Sequence, residues 1–205
     1  MTPKVEFHFD FGSPNAYFVH KLTPAVEKRT GATFTYVPIL LGGVFKLTNN
    51  QPPLVQFKDV KGKGDYMRIE IERFIRKHRL TQFKWNTHFP VNTVQIMRGA
   101  VVAEGDGQLA KYVDAVFRHM WEEGKKMDDP EVIRAALDTS GLDGARTLAR
   151  IQEQEVKDRL LKNTEASVAR GTFGAPTFFV GSEIFFGKDR LRDVEDEIVA
   201  QGARS

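Results

Sequence analysis

The first forty residues alternate in a way that predicts a strand, a helix and a second strand. Apolar and polar positions alternate along the start of the chain, with Val5, Phe7 and Phe9 on one face. The next segment carries apolar residues at helical spacing, namely Tyr17, Val19, Leu22 and Val26. It ends at Gly31, where a helix C-cap belongs, and ATFTYVPIL at 32–40 is the second strand candidate. Short joints in a βαβ order predict two parallel strands.

The pattern then becomes helical from Gly42 to about Arg170. Five segments have a helical period and are separated by glycine or Asp-Pro: 67–80, 92–105, 108–124, 129–141 and 143–170. After them, PTFFV and SEIFF flank a short turn at Gly181 and Ser182, which predicts a β-hairpin. Asp189 then stands where it can cap a last helix, whose apolar positions are Leu191, Val194 and Ile198.

This order of elements predicts an α/β fold in which one domain is interrupted by another. We expect residues 1–41 and 171–205 to form a discontinuous thioredoxin-like domain with four strands. Residues 42–170 form an all-helical insertion in this interpretation. Both ends of the chain then belong to the same domain.

Composition narrows the possible chemistry. The chain has 205 residues and contains no cysteine, which excludes disulfides, thiolate metal sites and a CxxC redox pair. Any thiol chemistry must therefore come from a bound ligand. The 30 basic and 27 acidic residues are interspersed, so we expect no nucleic-acid partner. The five histidines are scattered without the spacing of metal ligands, and no metal site is proposed. We interpret His8 as a solvent-facing strand residue, with a role as a base for Ser13 as the alternative.

The chain contains no apolar run of the ~20 residues that a membrane span needs. Its start follows a strand pattern where a secretion signal would need an uninterrupted apolar segment. We therefore expect a cytoplasmic protein that does not enter a membrane.

Ser13 is the first candidate for chemistry. It follows the first strand and Gly12 and precedes Pro14, which suits the first turn of a helix. Taken alone, it is best interpreted as a helix N-cap. The alternative is a role in ligand binding, because ligands of open α/β sheets bind at the carboxyl ends of strands, beside helix N-termini.

Two further segments are candidates. In GTFGAPTFF at 171–179, a cis bond before Pro176 would expose the Ala175 backbone to an extended, peptide-like ligand. Base rates favour a trans proline at the first residue of an edge strand. In FFGKDRL at 185–191, a glycine-containing turn leads into a helix N-terminus, which attracts carboxylates, and Lys188 or Arg190 could add positive charge. The alternative is that Asp189 is an ordinary helix cap.

Together these segments resemble a known family. FDFGSPNAYF, LLGGVFKLTNNQPP, WNTHFPVNTVQIMR and GTFGAPTFFVGSEIFFGKDRL match, in order and spacing, the 2-hydroxychromene-2-carboxylate isomerase family. That family is similar to the kappa-class glutathione transferases and, more distantly, to periplasmic disulfide oxidoreductases. The resemblance implies the thioredoxin-like fold with a helical insertion, a cis Pro176 and a homodimer.

The resemblance also implies an activity and a set of site residues. The activity is a glutathione-dependent cis–trans isomerisation of 2-hydroxychromene-2-carboxylate to trans-o-hydroxybenzylidenepyruvate, in aromatic hydrocarbon catabolism. Ser13 would be the catalytic residue and would hydrogen-bond the sulfur of the cofactor, glutathione. The other implied glutathione contacts are Ala175, Pro176, Phe186, Gly187, Lys188, Asp189 and Arg190. The implied contacts with the small aromatic substrate are Lys46, Asn50 and Phe89, of which Lys46 or Asn50 would meet either the glycyl carboxylate or the substrate.

The chain departs from the family pattern at two places. Many members have an aromatic residue after the serine-proline pair, whereas this chain has Asn15, which predicts a more polar substrate wall. The match around Lys46 is ambiguous by one residue. Two other functions stay open: a kappa-like glutathione transferase, which needs the same thiolate, and a non-catalytic thiol-peptide binding module.

Overall fold

The computed structural model describes residues 3–203, in which four strands form one mixed sheet in the order β2-β1-β3-β4. β1 runs parallel to β2 and antiparallel to β3, and β3 and β4 form an antiparallel hairpin. The parallel first pair and the hairpin at Gly181 and Ser182 are thereby confirmed. The bounds are Val5–Phe9 for β1, Phe34–Pro38 for β2, Thr177–Val180 for β3 and Glu183–Phe186 for β4.

The described residues form ten α-helices, of which eight lie between β2 and β3. They are α1 Pro14–Thr30, α2 Leu41–Thr48, α3 Pro53–Gln56, α4 Lys63–His78, α5 Val94–Gly105, α6 Leu109–Trp121, α7 Pro130–Thr139, α8 Gly144–Arg150, α9 Gln154–Ala169 and α10 Leu191–Ala203. An α/β fold interrupted by helices is thus confirmed. The division into domains at 1–41 plus 171–205 and 42–170 stays a proposal. Within residues 3–203, no helix has the length and apolar character that a membrane crossing requires.

The helical segment predicted at 143–170 is two helices. Asp143 begins α8, because its side chain accepts a hydrogen bond from the Arg146 N–H. α8 ends at Arg150, and Glu153, whose backbone is extended with φ −61° and ψ 138°, is the N-cap of α9. The 3.6-residue period continues across this joint, so periodicity alone could not reveal it.

Aromatic residues of β1 and of the loop that follows it anchor the sheet. Phe7, Phe9 and Phe11 are fully buried, each side chain contributing roughly 2 kcal/mol to folding. The Phe11 ring lies 4.8 Å from that of Phe117 on α6, and the Phe7 ring lies 5.4 Å from that of Phe178 on β3. The end of β1, and with it the loop that reaches Ser13, is therefore fixed between the sheet and the inserted helices.

His8 is buried, so its interpretation as a solvent-facing residue was wrong. Its Nδ1 lies 2.8 Å from Ser167 Oγ at the end of α9, and Ser167 Oγ lies 2.7 Å from Thr172 Oγ1. On the other side, His8 Nε2 lies 3.0 Å from Glu6, which also accepts a 2.6 Å hydrogen bond from Arg170. His8 thus ties β1 to the segment that leads to Pro176, and it does not contact Ser13.

This network predicts that acid destabilises the fold. Burial lowers the pKa of His8 below 6.5 in the folded protein. The contribution of His8 to the free energy of unfolding is therefore complete above pH 6.5, and it is lost as the pH falls through the lowered pKa of the folded state. Burial alone would raise the pKa of Glu6, but hydrogen bonds from His8 and Arg170 outweigh it and lower the pKa from 4.5 to about 2. The contribution of Glu6 is therefore lost between about pH 4.5 and pH 2.

We expect the free energy of unfolding, measured by urea denaturation, to fall as the pH is lowered from 7 to 5. His8→Gln keeps a polar side chain but cannot gain a proton. Its unfolding free energy should therefore change less over the same pH range than that of the wild type. Equal pH dependence in both proteins would show that His8 does not cause the loss.

Candidate active site

Ser13 lies at the head of α1, between the carboxyl end of β1 and the strand β3. It is the N-cap of the helix, with φ −94° and ψ 112°, and its Oγ accepts a 3.2 Å hydrogen bond from the Ala16 N–H. The same hydroxyl donates to the Ala175 carbonyl at 2.9 Å. Ser13 is 5% exposed. The expected helix cap is therefore present, and the side chain also meets the segment around Pro176.

The bond between Ala175 and Pro176 is cis, as the resemblance implied and against the base rate for proline. The Ala175 carbonyl is not open, since the Ser13 hydroxyl occupies it. The Ala175 N–H has no hydrogen-bond acceptor among residues 3–203. The Pro176 carbonyl accepts a 2.9 Å bond from the Gly187 N–H, which fixes the turn after β4 beside it. Of the two Ala175 backbone groups predicted to pair with a ligand, the N–H is therefore unpaired and the carbonyl is bonded to Ser13.

Asp10, which the sequence interpretation overlooked, holds the loop before Ser13. Its carboxylate is fully buried and accepts hydrogen bonds from the Gly12 N–H at 2.8 Å, the Leu41 N–H at 2.7 Å and the Thr93 hydroxyl at 3.1 Å. Burial raises the pKa of Asp10, and the three donors oppose that shift. Asp10 therefore joins the Ser13 loop to the starts of α2 and α5. The sequence feature that could have identified Asp10 is an acidic residue directly after a buried strand.

Asn50 and Phe186 meet on the segment before Ala175. The Asn50 amide donates a 2.9 Å hydrogen bond to the Phe173 carbonyl, and the rings of Phe173 and Phe186 lie 4.5 Å apart. A Cβ on Gly174 would come within 2.7 Å of the Phe186 ring, so a side chain at this position would displace that ring. Asn50, Phe186 and the Ala175 segment are thus brought together.

Lys188, Asp189 and Arg190 form a single 3₁₀ turn before α10. The Lys188 Nζ donates to both Asp189 carboxylate oxygens, at 2.8 and 2.7 Å, so Asp189 does not cap the helix through its side chain as predicted. Arg190 pairs with Asp193 at 3.1 Å. Lys188 and Asp189 line a cavity of about 690 Å³ between α1, α4 and α10. They adjoin Pro176 through Gly187, but Ser13 is not among the lining residues.

Phe89 is linked to the Ser13 loop through Trp121, whereas Lys46 has no described link to it. The Phe89 ring is 5.7 Å from that of Trp121, whose indole N–H donates to the Phe11 carbonyl at 2.8 Å. Phe89 therefore belongs to an aromatic cluster that reaches Phe11, in the loop between β1 and Ser13. Lys46 is exposed on α2 and makes no described contact with Ser13 or Ala175. The predicted role of Lys46 stays a prediction.

The head of α1 favours an anion. The helix has 17 residues, its dipole places partial positive charge near Ser13, and its first turn contains no acidic residue. A thiolate placed there would meet the Ser13 hydroxyl and the Asn15 N–H, which has no hydrogen-bond acceptor among residues 3–203. Both donors lower the pKa of a thiol. The chemistry that this arrangement supports is the binding and activation of a thiol-bearing, peptide-like ligand.

Comparison with known proteins identifies the family. The family model of the DSBA-like thioredoxin domain matches residues 4–199. The chain belongs to the DSBA-like thioredoxin family. Within the DSBA-like family, the chain is 28% identical to 2-hydroxychromene-2-carboxylate isomerase of Pseudomonas putida over 189 residues, covering 91% of this chain and 90% of that protein. The resemblance found in the sequence is thereby confirmed.

Two further comparisons place this DSBA-like protein among enzymes. A solved structure of 2-hydroxychromene-2-carboxylate isomerase superposes with a TM-score of 0.83 at 26% identity, covering 98% of this chain and 96% of that one. Glutathione S-transferase kappa 1 of Rattus norvegicus is 26% identical, over 93% of this chain and 88% of that protein. The thioredoxin-like fold is confirmed, and the names of the isomerase relatives support the prediction of an isomerase-type enzyme.

Proposed function

We propose that this protein is a glutathione-dependent cis–trans isomerase that converts 2-hydroxychromene-2-carboxylate to trans-o-hydroxybenzylidenepyruvate. The observation that carries the proposal is the position of the Ser13 hydroxyl, which lies at the head of α1 and 2.9 Å from the Ala175 carbonyl. The names of the isomerase relatives support an isomerase that acts on 2-hydroxychromene-2-carboxylate. We further propose a cytoplasmic homodimer that acts in aromatic catabolism.

The residues present fit glutathione. The chain has no cysteine of its own, and the Ala175 N–H is a donor without an acceptor in the described chain. An extended tripeptide can pair with that donor in the manner of an added strand. Pro176 and Phe186 would flank it, and Gly187, Lys188, Asp189 and Arg190 would lie toward its γ-glutamyl end. Bound glutathione would supply the thiolate that adds reversibly to the substrate double bond.

In this proposal Ser13 donates a hydrogen bond to the ligand sulfur and does not act as a nucleophile. Its hydroxyl would leave the Ala175 carbonyl and turn to the ligand sulfur, while the α1 terminus stabilises the same negative charge. The Ala175 carbonyl would then be free for the ligand's own N–H. Asn50 and Lys46 would face the glycyl carboxylate or the substrate, and Phe89 would contribute apolar contact to the aromatic substrate.

The discriminating experiment follows glutathione during turnover. Because the isomerisation returns the thiol at the end of each cycle, we expect many product molecules per glutathione and no net loss of free thiol. Chromene carboxylates would be assayed beside electrophilic transferase substrates under the same conditions. Stoichiometric loss of glutathione would reject the isomerase proposal.

A kappa-like glutathione transferase is the second candidate, and the similarity to the rat kappa enzyme favours it. It would use Ser13 in the same way and differ only in releasing the adduct. A non-catalytic thiol-peptide binding module is the third candidate. Full activity in a Ser13→Ala variant, or an absence of glutathione binding, would favour that one.

A further inference from the structure

The cavity between α1, α4 and α10 extends beyond the reach of glutathione. Its volume of about 690 Å³ is that of a ligand pocket, and of the predicted glutathione contacts it is lined by Lys188 and Asp189. Its α1 wall runs from Leu22 to Arg29, which lie roughly 14 and 24 Å along the helix axis from Ser13. An extended tripeptide spans at most about 10 Å, so glutathione held at Ser13 cannot fill this cavity.

The walls of the cavity are apolar where the three helices face one another. α1 contributes Leu22 and Val26, α4 contributes Phe74, and α10 contributes Leu191 and Val199. Val26, Phe74 and Leu191 are at most 8% exposed, whereas Val199 is 59% exposed. A ligand with an apolar body would therefore remove apolar surface from water in this cavity, which favours binding.

Charged side chains surround the apolar walls, and the cations are in excess. Six of the nine charged lining residues form ion pairs with one another, namely Arg29 with Glu195, Arg73 with Glu70, and Lys188 with Asp189. The other three are Lys77, Arg192 and Asp196, which make no ion pair within residues 3–203. Two cations therefore stand against one anion, and the cavity complements a negatively charged ligand.

Lys188 brings a nearly buried cation to this cavity. Its side chain is 7% exposed, and its ammonium lies 4.7 Å from the centre of the Phe74 ring. The side chain of its carboxylate partner, Asp189, is 70% exposed, and ion pairs that water reaches are weak. Burial, together with the charges of Lys77 and Lys188, lowers the pKa of His78 on the same wall. An anionic group is therefore favoured beside Phe74.

We propose that this cavity binds an amphipathic carboxylate, with the carboxylate beside Lys77 and Lys188 and the apolar body against Phe74. The site is additional to the one at Ser13 and does not rest on the proposed isomerisation. A neutral compound of the same size would make the apolar contacts alone, so the charge of the ligand decides its affinity.

The test measures binding of decanoate, and of its neutral counterpart 1-decanol, to the full chain at pH 7 by isothermal titration calorimetry. Both probes are kept below the concentrations at which they aggregate or separate from solution. We expect one decanoate per chain, bound at least about tenfold more tightly than 1-decanol, which is the effect of one hydrogen bond to a charged group.

Three variants locate the bound decanoate. Ala25 is an exposed residue of the α1 wall, so Ala25→Trp fills the cavity without disturbing the core, and it should reduce decanoate affinity by at least about tenfold. Lys77→Met should weaken decanoate by about threefold, the effect of an exposed charge, and leave 1-decanol unchanged. Lys162→Met removes an exposed lysine of α9 outside the cavity and should bind both compounds as wild type does.

The outcomes are distinguishable from those of the proposed function, because no step requires turnover. Saturating glutathione should leave decanoate affinity nearly unchanged, and strict competition would place decanoate in the glutathione site and reject a second site. Absence of saturable binding, equal affinity for 1-decanol, or full binding by Ala25→Trp would also overturn the proposal. If sedimentation instead showed a dimer that Ala25→Trp dissociates, with no decanoate bound, a second copy of the chain would be the occupant and the proposal would be wrong.

Discussion

Replacing Ser13 with alanine is expected to slow turnover by about 10- to 100-fold while the protein stays folded. A hydrogen bond to a charged group contributes about 1.5–3 kcal/mol, and the alanine variant would lose that contribution to the thiolate. The N-cap bond to the Ala16 N–H is lost as well, which costs about 1 kcal/mol of stability. The measurement is kcat with saturating glutathione, beside a urea denaturation curve.

Ser13→Thr is the matched control for this prediction. Threonine keeps a hydroxyl and is also an accepted N-cap, so its stability and much of its turnover should be retained. If Ser13→Ala and Ser13→Thr had the same kcat as wild type, the hydroxyl would take no part in the chemistry. The serine would then be a helix cap alone.

Replacing Asp10 with alanine is expected to have the largest effect on stability, about 3–5 kcal/mol of unfolding free energy. The substitution leaves the N–H groups of Gly12 and Leu41, which are half-buried residues, and the buried Thr93 hydroxyl without their acceptor. It also releases the loop before Ser13 from α2 and α5. Urea denaturation at pH 7 would measure the loss.

Thr93→Val separates the parts of this network. It removes one of the three donors and keeps the shape of the side chain, so a loss of only about 1 kcal/mol is expected. If Asp10→Ala were as stable as wild type, the buried carboxylate would not hold the three segments together as described.

The fold was predictable where hydrophobic periodicity and turn residues agree. The alternation of β1, the helical spacing up to Gly31 and the short turn at Gly181 and Ser182 gave three strands and a helix directly. The joint at Glu153 was not predictable, because a brief departure from helical backbone angles leaves the apolar period intact. His8 was misread because the second face of β1 packs against α9, which the alternation of one strand cannot reveal.

The candidate site was predictable in its residue types but not in its contacts. Ser13 was recognised as a cap, and its bond to Ala175 depends on a pairing across 162 residues that no local pattern specifies. Asp10 was missed because its three donors come from separate segments of the chain. The ion pair between Lys188 and Asp189 depends on side-chain conformation, which spacing does not fix.

The central claim is that the Ser13 hydroxyl stabilises a thiolate at the head of α1. The most direct measurement is the pKa of the glutathione thiol when bound to wild type and to Ser13→Ala, followed by the ultraviolet absorbance of the thiolate during a pH titration. We expect the wild type to lower this pKa by about one to two units from the ~8.5 of a free thiol, and the alanine variant to return it most of the way. Equal thiol pKa values in the two proteins, or a value in the wild type no lower than that of free glutathione, would contradict the claim.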